Sequence, residues 1–104
     1  MRSDIERIFL SGLTDQEQGA AVEDGRTDVV VSFRNGDRYV ASFFSYDAIA
    51  QMREAYRVSG EFMSGRYLWY QNMLLVEECS RSLVEEVIEY LLDEGDFKEV
   101  FKKL

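Results

Sequence analysis

The chain contains no proline and no histidine, and its single cysteine is Cys79. Without proline, no rigid linker marks a second domain. Without histidine, the commonest general base and metal ligand is missing. One cysteine cannot form an internal disulfide, which suits a reducing compartment. No apolar run approaches the roughly 20 residues of a membrane-spanning helix. Met1-Arg2-Ser3-Asp4 lacks the apolar stretch that follows the basic start of a secretion signal. The expectation is a cytoplasmic protein. Bases are also scarce: 12 Lys and Arg against 20 Asp and Glu give a net charge of -8. That balance argues against binding a nucleic-acid backbone or an anionic membrane, and it would attract a basic partner.

Apolar residues are plentiful, at 46% of 104 residues, enough for one folded domain with one core. We read residues 1–104 as a single domain, with a helix/loop segment at 1–27 and a compact core at 28–104. Tyr67 to Val76 holds eight apolar or aromatic side chains and no charge. Its residue types suit a pleated surface, so it reads as the centre of a sheet. It is either one long strand or two short ones turning at Gln71-Asn72.

Ser3 and Glu6 match a capping box, and Ile5, Ile8 and Phe9 follow at helical spacing. They predict a short N-terminal helix, though Ile8-Phe9-Leu10 equally suits an extended segment. Residues 14–27 are polar and glycine-containing and read as a mobile loop. Asp28 to Phe44 reads as a hairpin around Asn35-Gly36. A three-residue loop, Arg34-Asn35-Gly36 with Gly36 left-handed, groups Val29, Val31 and Phe33 with Tyr39, Ala41 and Phe43. It sends Ser32, Arg34, Arg38 and Ser42 to the other face, a cleaner sorting than a two-residue turn gives.

Tyr46 to Val58 predicts a helix with Ser45 as N-cap, Gly60 as stop, and Ile49, Met52 and Tyr56 as its apolar stripe. Ser82 to Asp93 predicts another, with Ser82 and Glu85 as a capping box and Val87 facing the sheet. Asp96 would cap a last short helix carrying Phe97, Val100, Phe101 and Leu104. The fold class is therefore α+β: an antiparallel sheet of three to four strands with helices packed on one face.

Three stretches carry a resemblance: Ser64 to Trp69, Met73 to Glu78, and Ser80-Arg81 through Gly95-Asp96-Phe97. There the chain resembles small bacterial cytosolic proteins of about 100 residues and uncharacterised function. The resemblance covers the chain from the hairpin onward. It implies a bacterial cytosolic setting and a shared fold, and no chemistry.

No catalytic, metal or cofactor motif survives inspection, so the chain does not read as an enzyme. Glu77 and Glu78 with Glu85, Glu86 and Glu89 lack the convergence a hard cation needs, and a solvated helix face is the plainer reading. Cys79 has no base to activate it and carboxylates beside it, so it reads as a small buried side chain. Gly12, Gly19 and Gly25 make no phosphate-binding pattern.

The better candidates are residues for a protein partner or self-association. Tyr67 and Trp69 would share one side of an extended segment, and Trp, Tyr and Arg are favoured in interfaces. Arg53 and Arg57 share a helix face, with ordinary surface charge as the plainer reading. From Glu77 to Asp96, eight carboxylates face one base, Arg81. Glu85, Glu86 and Glu89 could meet a basic surface, as an immunity or antitoxin protein meets its toxin. The alternative is a small-molecule or enzymatic domain whose anion pocket uses Arg53, Arg57 and Tyr56.

Overall fold

The computed structural model describes residues 4–13 and 21–104. The described chain forms one small α+β domain. Its strands are β1 (Ile5–Leu10), β2 (Arg26–Phe33), β3 (Arg38–Ser45), β4 (Met73–Val76) and β5 (Lys102–Lys103). Its helices are α1 (Tyr46–Ser59), α2 (Glu61–Gly65), α3 (Arg81–Glu94) and α4 (Phe97–Val100).

The hairpin forms as its alternation predicts. Val29 pairs with Ala41 and Val31 with Tyr39. The Phe33 amide donates to the Asp37 carbonyl at 2.8 Å, closing the three-residue loop. Gly36 sits at φ 94°, where a side chain would be strained. Val29, Val31, Phe33, Tyr39, Ala41 and Phe43 are all buried, while Arg34 and Arg38 are exposed.

The N-terminal helix does not form; Ile5–Leu10 is a strand, paired antiparallel with β2. The reason is a bulge. Ile5 pairs with Phe33 but Arg7 with Ser32, leaving Glu6 as an extra residue. The bulge resets the alternation, so Ile5 and Ile8 both face the core although three residues apart. That spacing imitates a helix. Ser3, the supposed cap, lies outside the described residues, as does half of the predicted loop, residues 14–20. Of that loop's remainder, Ala21 bridges to Ser80 and Arg26-Thr27 open β2.

Tyr67–Val76 is not the centre of the sheet. Only Met73–Val76 is a strand, and it is an edge that runs parallel to β3. The Gln71-Asn72 turn is there, but no strand precedes it. β3 is the central strand. β2 pairs with one of its edges; β4 and β5 share the other, at Ser42–Ser45 and Tyr39–Val40. The β3–β4 pairing follows a crossover through α1 and α2, as parallel strands require. The other three pairings are antiparallel.

One face of the sheet carries the core. Leu10, Val29, Val31 and Phe43 meet Val84, Ile88 and Leu92 of α3, with Phe97 and Phe101 closing the end. Phe33, Tyr39 and Phe97 pack edge to face at 5.3–5.7 Å between ring centroids. The fully buried row of α3 is Val84 and Ile88; Val87 is only partly buried against it. The helix also begins earlier than predicted. Ser80, not Ser82, is the N-cap, and its hydroxyl accepts the Leu83 amide at 3.3 Å. α4 is a single turn, and Asp96 before it has helical backbone (φ -95°, ψ -3°) instead of the extended form of a cap, so it makes no side-chain cap.

Candidate functional site

α1 forms where predicted. The Ser45 hydroxyl accepts the Ala48 amide at 3.0 Å, and Gly60 ends the helix at φ 87°. Yet Ala48 is its only buried residue, and it adds nothing to the main core. Ile49, Met52 and Tyr56 are half-buried. The helix, α2 and the segment to Tyr70 make an arm that continues from the end of β3.

The arm is held by its own aromatic cluster. Phe62 is central, with Tyr56 at 4.8 Å, Tyr67 at 5.4 Å and Tyr70 at 6.0 Å between ring centroids. Tyr70 also lies 5.1 Å from Phe44 of β3, which anchors the arm to the sheet. The Tyr56 and Tyr70 hydroxyls meet at 3.3 Å. That bond, with a smaller contribution from burial, raises the Tyr56 phenol above its ordinary range. Phe62, Met63 and Ser64 all adopt left-handed backbone, at φ 51°, 52° and 60°. Such residues cost roughly 1–2 kcal/mol each, so α2 is a strained turn held by packing. Gly65 lets this turn press on α1: a Cβ there would lie 2.6 Å from the Arg53 carbonyl oxygen.

This construction pushes apolar side chains outward. Trp69 is 69% exposed, Tyr67 53% and Val58 91%. Leu68 and Tyr70 are half-buried, so the alternation expected of an extended segment persists without a sheet. Arg53 and Arg57 are exposed on the same arm, with Arg57 3.3 Å from Glu54. Arg53 and Arg66 have no ion pair among the described residues. From Tyr46 to Tyr70, three arginines balance Asp47, Glu54 and Glu61. The arm is neutral in an acidic protein.

Glu85, Glu86 and Glu89 lie elsewhere, on α3, and do not act as one outward face. Glu86 is exposed. Glu85 is half-buried, 3.5 Å from Arg81. Arg81 in turn donates to the Ile8 carbonyl at 2.8 Å, capping the edge of β1. Glu85 and Glu89 border a shallow cleft of about 270 Å³ with Glu6 and Arg7. Sequence reasoning counted Arg81 only as the lone base; its i,i+4 spacing to Glu85 was the available signal. It also missed a cleft of about 520 Å³ at the hairpin end, between Phe33, Tyr39 and Phe97 and the charged Arg34, Asp37 and Lys98.

Of the residues named for the anion-pocket alternative, Tyr56 is turned to Tyr70 and Arg57 to Glu54. Cys79 is buried, its thiol donating to the Gly25 carbonyl at 3.4 Å. Burial, then the nearby Asp24 carboxylate, pushes the thiol up to about 11. No helix is long and apolar enough to cross a membrane, and no group of three or more acidic or Cys side chains could hold a metal, both among the described residues. No family model, curated protein or solved structure matches the chain.

Proposed function

We propose that this chain is a non-catalytic protein-binding module that engages its partner through the arm. The observation that carries this reading is the exposure of Trp69 beside Tyr67 on a segment braced by the Phe62 cluster. A rigid aromatic anchor loses little side-chain entropy on binding, and Trp and Tyr dominate interface hot spots. Arg53 and Arg66 on the same arm can pair with carboxylates at the rim. The exposed Glu86 on α3 would help steer a basic partner. An immunity- or antitoxin-like protein in a bacterial cytosol is the concrete form of this proposal, resting on acidity and on the sequence resemblance.

The test is affinity capture from source cells with the wild-type chain and with a Trp69→Ala, Tyr67→Ala variant, read by mass spectrometry. A partner held by the wild type should bind the variant at least about thirtyfold more weakly, the loss of a hot spot worth about 2 kcal/mol. Trp69→Ala alone should keep the wild-type melting temperature, because that ring is exposed and outside the Phe62 cluster, whereas Tyr67→Ala also removes an edge contact with Phe62 and should lower it slightly. Equal affinity would remove the arm from the interface.

A further inference from the structure

The face of the sheet opposite the core is the second surface with a chemistry of its own. Its centre is an apolar row across three strands: Phe9 beside Val30, and Val30 beside Val40. Phe9 is 42% exposed and the two valines are half-buried, and none of the three belongs to the core. Lys102 extends the row next to Val40. In the adjoining row, Arg7 and Arg38 flank Ser32. Arg7 lies over the Phe9 ring at 5.5 Å. At the far end, Arg26 lies 5.5 Å from the Phe44 ring and 5.7 Å from the Tyr70 ring.

Four bases thus occupy the strand positions on this face, against one acid, Asp28, whose carboxylate already accepts the Ser42 hydroxyl at 2.9 Å. Glu6 sits at the bulge, on the outer edge, where it, Glu85 and Glu89 share a cleft with Arg7. Away from that edge, Arg38, Lys102 and Arg26 leave the face locally positive in a protein of charge -8. A groove of about 360 Å³ opens there, its lining including Asp28, Val40, Ser42, Tyr70, Lys102 and Leu104.

We infer that this open face docks an acidic segment of a protein partner, carboxylates on Arg7, Arg38 and Lys102 and an apolar side chain on the Phe9–Val30–Val40 row. Antiparallel sheets commonly leave one face to water, but such a face is normally polar, and this one is apolar at its centre. Arginine stacked on an aromatic ring keeps its N–H groups directed outward for a carboxylate fork. The bases stand apart around an apolar centre, which suits a peptide with a few spaced acids. A nucleic-acid backbone carries charge too densely and would meet the acidic remainder of the molecule.

The probe is a short peptide alternating Glu with Leu, titrated against the full chain by amide chemical shifts. Its Lys-for-Glu counterpart and single-stranded oligothymidine are the comparisons. Shifts should map to Arg7, Phe9, Val30 and Val40. A double variant, Arg38→Gln with Lys102→Gln, should bind about tenfold more weakly and melt at the wild-type temperature. Arg7→Gln should weaken binding independently. Shifts confined to other residues, no binding, equal binding of the Lys peptide, or unchanged affinity in these variants would overturn the proposal. Tighter binding of oligothymidine would replace it with a nucleic-acid surface.

Discussion

Gly25 shows how much one residue can join. Its φ of 71° suits glycine, and a Cβ there would collide with the Ser45 hydroxyl and lie 2.9 Å from the Ala48 Cβ. Its carbonyl accepts the Ser45 amide at 2.7 Å and the Cys79 thiol at 3.4 Å. The entry to β2, the cap of α1 and the approach to α3 therefore meet at one peptide. Sequence reasoning read Cys79 as a buried small side chain, and it is. Nothing local showed that its partner lies 54 positions away in the chain. The thiol makes a pH prediction. In the unfolded chain it ionises near about 8.5, but in the fold only near about 11. The folded form therefore holds its proton longer, and stability present below about pH 8.5 is lost as pH rises towards 11. Urea midpoints at about pH 8 and about pH 10.5 should fall more for the wild type than for Cys79→Ala. A parallel fall would assign the loss to other groups.

At the scale of elements, those legible in sequence were those whose pattern and packing agree. The hairpin register followed from a clean sorting of side chains, and α3 from a broad apolar face. β1 imitates a helix because its bulge turns a strand into an i,i+3 pattern, although Ile8-Phe9-Leu10 also suits the extended form it takes. The Tyr67 stretch was misread because β-forming residues announce a strand without saying whether it pairs. Tyr67 to Tyr70 is arm, and only Met73–Val76, after the turn, is an edge strand. α2 carried no signal beyond Gly60 and Gly65, since nothing in Phe62, Met63 or Ser64 asks for left-handed backbone. In that backbone the Phe62 ring packs among Tyr56, Tyr67 and Tyr70. The strain is testable. Met63 is exposed at φ 52°, so Met63→Gly should stabilise the protein by about 1 kcal/mol and raise the melting temperature. Phe62→Gly relieves the same strain but removes the centre of the cluster, and should lower it. If both lower it, the turn is not strained in solution.

On the scale of the whole molecule, net charge hid a polarity. Acid gathers on α3 and base on the open sheet face, with the core between them. The sequence exposed the acidic run because it is contiguous. The basic face is assembled from β1, β2, β3 and β5, so only pairing reveals it. The candidate residues likewise divided, Trp69 and Tyr67 with Arg53 and Arg57 on the arm, Glu85, Glu86 and Glu89 on α3. β3 carries a further consequence. One of its edges is closed by two segments, β4 and β5, and both follow it in the chain. While the chain is being synthesised, the hairpin is therefore complete well before its inner edge is sealed. In that interval the exposed backbone can template pairing with a neighbouring nascent chain. When β5 arrives it brings Lys102 and Lys103, which pair with Val40 and Tyr39 and present charge where another strand would add. Replacing both lysines by valine should leave β5 able to pair yet make the purified protein associate as its concentration rises, seen as a growing mass in light scattering. A variant that stays monomeric would show that this edge needs no guard, during synthesis or after it.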